Sequence, residues 1–299
     1  MLGVLKRYMF GGSFVDDASK LAVNKSSVSD PPQPMLVIGA GLPRTGTASF
    51  QEAMERLGLH CYNMFVMRNS QGHVDIWHEH LVDHTLSFDG LVDHIVASGY
   101  SATVDVPMAF KYKDLAKRYP QAKVVLTVRS EEPSVAAEAW SNSVTATIFK
   151  EIPILESVPF RWIPVVHKTR LYLEAMYREV QFPLHNSHEL AGFYNPWNQQ
   201  VIDTIPSENL LIFRAADGWR PLCEFLANVS QDVEQNCHGL LSSHEPYPFV
   251  NDATKLKALF SSLRAFAIVV QVCLVVLPVA LLVALAIRWY KAGAKEKSS

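Results

Sequence analysis

Residues 35–50 read MLVIGAGLPRTGTASF, and this stretch decides what the chain folds into. Met35 to Ala40 is a short, wholly apolar run with glycine punctuation directly after it, the pattern of a strand buried on both faces that feeds a loop. From Thr47 onward Phe50, Ala53, Met54 and Leu57 recur at helical spacing, and Gly58 stands where a helix stops. Strand, glycine-rich loop and helix in that order gather backbone N–H groups and the positive end of a helix dipole around one point. Such an arrangement holds an anion.

The loop's side chains narrow the kind of anion. Gly41 and Gly46 keep the Gly-x-x-x-x-Gly spacing of a Walker A loop, so the backbone can fold round an oxyanion without Cβ collisions. A nucleotide triphosphatase then needs Lys and Ser or Thr, for the β- and γ-phosphates and for magnesium; this chain has Thr47 and Ala48. The loop's one cation, Arg44, comes earlier, at the crest, where a planar guanidinium can chelate two oxygens of a phosphate or sulfate. The plainer reading is a glycine-rich turn with no ligand.

Outward from the loop, strand and helix alternate again. Residues 102–104 precede a helix over 110–119, residues 123–128 precede one running through Trp140 toward Phe149, and residues 210–213 precede one over 219–227. Repeated βα units predict an α/β fold, a parallel sheet with helices on both faces. Between them, 167–180 reads as an amphipathic helix and 183–196 as an irregular segment. Residues 1–34, polar in their second half and ending in Pro31-Pro32-Gln33-Pro34, read as a flexible leader.

The chain has 299 residues, 49% hydrophobic and 19% charged, with a formal net charge of -2. No overall basic field of the kind nucleic-acid binding shows is present, and nucleic acid is set aside as a partner. Cys61, Cys223, Cys237 and Cys273 lie far apart without a C-x-x-C pair; neither a zinc site nor a disulfide framework is implied, and a reducing compartment fits. Residues 265–287 carry no charge and as a helix reach roughly 35 Å, enough to cross a bilayer core. Arg264 on one side and Arg288, Trp289, Tyr290 and Lys291 on the other supply interfacial anchors, and 288–299 forms a short basic tail. Basic residues flank the span on both sides. The first twenty residues lack a signal-type apolar core, which favours a single-pass tail anchor with the main domain cytosolic. The sequons at Asn24 and Asn228 would count against that if used.

The run 41–50 resembles the 5′-phosphosulfate loop of sulfotransferases, in which Pro, a cation, Ser or Thr, Gly and Thr bind 3′-phosphoadenosine-5′-phosphosulfate. Further segments are similar, in order, to the branch of that family with a GLPRTGT loop: Leu57-Gly58 with Cys61-Tyr62-Asn63-Met64, then ATVDVP at 102–107, YPQAKVVLTVR at 119–129, GWRPLC at 218–223 and PFVN at 248–251. The resemblance covers about residues 35–260. It implies a three-layer P-loop fold on a five-stranded parallel sheet, and transfer of a sulfuryl group from that donor to a hydroxyl or amine acceptor, small or lipid-like, without a metal. Pro43, Arg44, Thr45, Gly46, Thr47 and Ala48 would hold the 5′ end of the donor. Arg129 matches the family arginine on the 3′-phosphate, with Ser143 as the companion serine and Ser134 and Ser141 as alternatives; the plain alternative for Arg129 is an ion pair with Glu131 or Glu132.

Asp105 follows a strand and precedes Pro107, so its carboxylate is delivered to the same sheet edge as the loop, and it leads as general base or acceptor-orienting residue beside Arg44. Its rival role is a helix N-cap. This branch often has His after the tyrosine matching Tyr62; here Asn63 stands there, leaving His60 as a further candidate base and a non-catalytic, membrane-tethered nucleotide-binding scaffold as the second functional reading. His73, Asp75, His78, His80, Asp83 and His84 are crowded enough to suggest a metal, but no Cys or H-E-x-x-H pattern completes a site, and a helix face lining the acceptor cleft is the preferred reading.

Overall fold

The computed structural model describes residues 34–183, 186, 188–250 and 252–296. The expected leader, apart from Pro34, and its sequon at Asn24 lie outside the described residues, as do Asn251 and the last three residues of the tail.

Five strands form one parallel sheet in the order β2-β3-β1-β4-β5: β1 Val37–Gly39, β2 Cys61–Tyr62, β3 Ala102–Thr103, β4 Lys123–Thr127 and β5 Leu210–Phe213. Alternate residues of β4 serve opposite faces. Val124 and Leu126 join one core with Ile38, Trp140, Tyr172, Tyr194 and Trp197, while Val125 joins a second with Val37, Phe50, Met54, Phe213 and Leu222. Burial on both faces explains why β1 and β4 are apolar almost throughout. The result is a three-layer α/β sandwich.

The helices around the sheet are α1 Thr47–Arg56, α2 Met64–Asn69, α3 His73–His78, α4 Phe88–Ala97, α5 Tyr112–Arg118, α6 Pro133–Ala146, α7 Ile148–Glu156, α8 Pro164–Glu179, α9 Leu190–Thr204, α10 Trp219–Leu226, α11 Gln231–Ser242 and α12 Asp252–Glu296. The irregular segment expected over 183–196 is corrected from Leu190 onward, because α9 runs through Pro196. Proline inside a helix costs about 3 kcal/mol. Leu190, Tyr194, Trp197 and Val201, all buried along one stripe, offset that cost.

Absence of a disulfide is the second correction. Cys223 on α10 and Cys237 on α11 are bonded, their Cα atoms 5.5 Å apart. Two helices folded back on each other close a gap of 14 residues, a pairing that no short cysteine motif announces. Helix α12 buries Phe260, Leu263 and Ala267 against the domain and exposes large apolar residues from Ile268 to Ile287. Its stretch Phe260–Arg288 is long and apolar enough to cross a membrane.

Candidate active site

All strands point the same way, so the turns after β1, β2, β3 and β4 meet at one edge of the sheet. The glycine loop leaves β1 there. Gly41 is forced by close approach, since a Cβ would stand 2.0 Å from Thr127 Oγ1 and 2.8 Å from the Thr127 backbone. Gly46 has φ +97° and opens α1, which has neither a side-chain cap nor an acidic residue in its first turn. Such an N-terminus offers its amides to an anion.

Three carbonyls of the loop are tied from outside. Trp197 Nε1 donates to Ala40 O at 3.0 Å, Trp140 Nε1 to Pro43 O at 2.8 Å, and Arg129 Nη1 to Arg44 O at 2.8 Å. Thr45 turns its hydroxyl inward, donating to Leu42 O at 2.6 Å and sharing a 2.6 Å contact with Thr127 Oγ1. That hydroxyl is a brace of the loop, which leaves the Thr45 backbone as its means of meeting a ligand.

Arg44, at φ +73°, donates from Nε to Ser143 Oγ at 3.3 Å. The two rival serines bond locally, Ser134 to the Glu132 carboxylate and Ser141 to Glu138 O. Of the three, Ser143 meets the loop. The amide of Arg129 donates to the Tyr194 hydroxyl at 3.0 Å and its guanidinium donates to Arg44 O at 2.8 Å, while Glu131 pairs with Arg214.

Asp105 leaves β3 at φ +62°, and its carboxylate accepts from Val106 N at 2.8 Å. The following 3₁₀ turn, Met108–Lys111, is capped by Pro107, and Ala109 N donates to the Asp105 carbonyl at 2.8 Å. His60 precedes β2 and lies at the opposite end of the strand from Asn63; its ring contacts the Glu55 carboxylate at 3.2 Å, which raises its pKa despite partial burial. It does not reach the loop edge. Asn63 caps α2 by accepting from Val66 N at 2.9 Å and donates to Gln51 Oε1, so a structural task occupies this position.

The histidine-rich segment is divided in two. His73 and Trp77 are buried and share the Tyr62 hydroxyl, at 3.1 Å from His73 Nδ1 and 3.0 Å from Trp77 Nε1. Burial and then the charge of His94 lower the His73 pKa to about 4. His78 contacts Asp83, and His80 Nδ1 lies 3.0 Å from Leu86 O. Among the described residues no group of three or more His, Cys, Asp or Glu gathers as a metal site.

The residues missed by sequence reasoning are Trp140, Trp197 and Tyr194. They are core, yet each has a polar tip that must find a partner when buried, and that requirement was the available signal.

The sequence comparisons agree with this geometry. The family described as sulfotransferase domain matches residues 36–256. The chain is also 26% identical over 217 residues, covering 64% of this chain and 76% of the other, to Ava biosynthesis cluster protein M of Aspergillus versicolor. With its sheet, its glycine loop and a match over most of its length, the chain belongs to the sulfotransferase-domain family.

Proposed function

We propose that this protein transfers a sulfuryl group from 3′-phosphoadenosine-5′-phosphosulfate to a hydroxyl or amine of a small or lipid-like acceptor, while α12 anchors it in a membrane. One observation carries the donor reading: Arg129 and Ser143, distant in sequence, both bond to Arg44. The donor supplies the sulfuryl group and a leaving 3′,5′-bisphosphate when bound. Arg44 and the amides from Thr45 to Ala48, with Pro43 shaping the turn, neutralise the 5′-phosphate that leaves. Arg129 and Ser143 serve the 3′-phosphate. The acceptor oxygen or nitrogen bonds to sulfur as the sulfur–oxygen bond to that phosphate breaks, and Asp105 receives the acceptor proton. The uncapped α1 N-terminus fits this anion.

Thermal stabilisation of the full chain in detergent tests the reading. Adenosine 3′,5′-bisphosphate should raise the melting temperature, ATP with magnesium should not, and Arg44→Ala should abolish the effect. Stabilisation by ATP with magnesium alone would overturn it.

The side of the membrane is a separate question. The Cys223–Cys237 bond favours an oxidising compartment over a tail anchor with a cytosolic domain. Exposed Asn228, in its sequon, reports the answer. A glycan there in a eukaryotic host puts the domain in the lumen. An unmodified Asn228 with protease access from outside intact vesicles puts it in the cytosol.

A further inference from the structure

Helix α12 does not leave the domain where its apolar stretch begins. Phe260, Leu263 and Ala267 are buried against the globular core, the Phe266 ring lies 5.9 Å from Phe160, and Gln271 donates from Nε2 to Val158 O at 3.2 Å. The docked part therefore extends several residues into the stretch that hydropathy alone assigns to lipid. From Val272 to Ile287 the remaining helix rises about 24 Å. A hydrocarbon core is roughly 30 Å thick, and Arg288 closes the far end. Counting from Ala265 instead gives about 35 Å, which suffices. Apolar lipid must then reach down beside Phe266 and Gln271, and the segment touching those residues must stand at the same level.

That segment is 158–162. Its Phe160 is buried, but Trp162, two residues on, is 66% exposed. Arg161 is exposed beside it, and Arg264 is exposed on the helix. A bare tryptophan beside an exposed arginine, with a second exposed arginine on the helix, matches the membrane–water interface, where an amphipathic ring and snorkelling cations are both at ease. We propose that residues 158–162 dock on the bilayer surface with Trp162 in the headgroup layer, so that the domain is seated on the membrane in one orientation. The proposal rests on the reading of α12 as a span. Helix α7 joins this segment to α6, which carries Ser143, and so the donor site would be held at a fixed height above the lipid.

Spin-label depth measurements on the full chain in phosphatidylcholine vesicles test this. Three labelled sites are compared: native Cys273 on α12, Trp162→Cys, and Glu234→Cys on exposed α11, the last two in a Cys273→Ala background. The label at 162 should show an oxygen-to-nickel-chelate accessibility ratio several-fold above that at 234. A water-exposed label at Cys273 would sink the membrane reading and the docking with it. Lipid at Cys273 with water at 162 would overturn docking alone, the bilayer having thinned round a short span. Spin–spin broadening at 162 that disappears on dilution with unlabelled chain would overturn it in favour of a second copy covering the patch.

Discussion

The guanidinium of Arg129 donates to the backbone carbonyl of Arg44 across 2.8 Å, joining the end of β4 to the crest of the glycine loop. One cation thus helps to shape the loop that carries the other. Replacing Arg129 by Ala should weaken binding of adenosine 3′,5′-bisphosphate by 10- to 100-fold, because a charge-assisted hydrogen bond is worth about 1.5–3 kcal/mol. Arg129→Lys keeps the charge without the planar fork and should fall between. Calorimetric titration measures both, with circular dichroism showing that the fold is retained.

Trp140→Phe should act on the loop from behind. The indole is fully buried, and its loss of an N–H leaves Pro43 O without the donor it now has at 2.8 Å. An unsatisfied buried polar group costs about 1–3 kcal/mol. The variant should lose stability of that order in urea and also bind the bisphosphate more weakly, whereas a purely structural role would move stability alone.

The parts of this site that were legible in the sequence are those whose chemistry is local. An apolar run, three glycines and an arginine within residues 35–47 announce strand, loop and cation without reference to the rest of the chain. The loop's supports are another matter, since Trp140 and Trp197 bond backbone carbonyls 97 and 157 residues away, and a carbonyl has no residue type to recognise. Strand β2 has two residues, too few to show a period of two. Asn63 looked like a missing base, and its structural task emerged only with α2 and Gln51 in place.

The Cys223–Cys237 bond closes a sequence separation of 14. On the chain-entropy account a loop of that size contributes about 3 kcal/mol by restricting the unfolded state. Dithiothreitol should lower the urea midpoint of the native chain. Cys237→Ser should begin near that lower midpoint and ignore the reductant.

Burial of His73 predicts an acid-sensitive fold. In the unfolded chain the ring protonates near the ordinary histidine value of 6.5, in the native state at about 4. Between those values the unfolded state binds more protons, so stability rises with pH and is lost as pH falls from 6.5 toward 4. His80, also lowered by burial, acts in the same direction, while the raised pKa of half-exposed His60 opposes it weakly. His73→Gln should flatten the slope of unfolding free energy between pH 7 and pH 5, measured by urea titration at each pH.

Asp105 separates catalysis from binding, provided that the substitution respects its backbone. At φ +62° an alanine would add strain, whereas asparagine tolerates the left-handed region. Its side-chain oxygen can still accept from Val106 N, as the carboxylate does at 2.8 Å. What Asp105→Asn cannot do is take up a proton. If Asp105 is the base, the variant should keep its affinity for the bisphosphate and lose sulfate transfer by 100-fold or more, within the usual range of about 10²–10⁴ for general base catalysis. Radiolabelled transfer to the acceptor, set beside the calorimetric affinity, reads both quantities. Full transfer by Asp105→Asn would assign the proton to another group, and equal losses in binding and transfer would make Asp105 a brace of the loop edge.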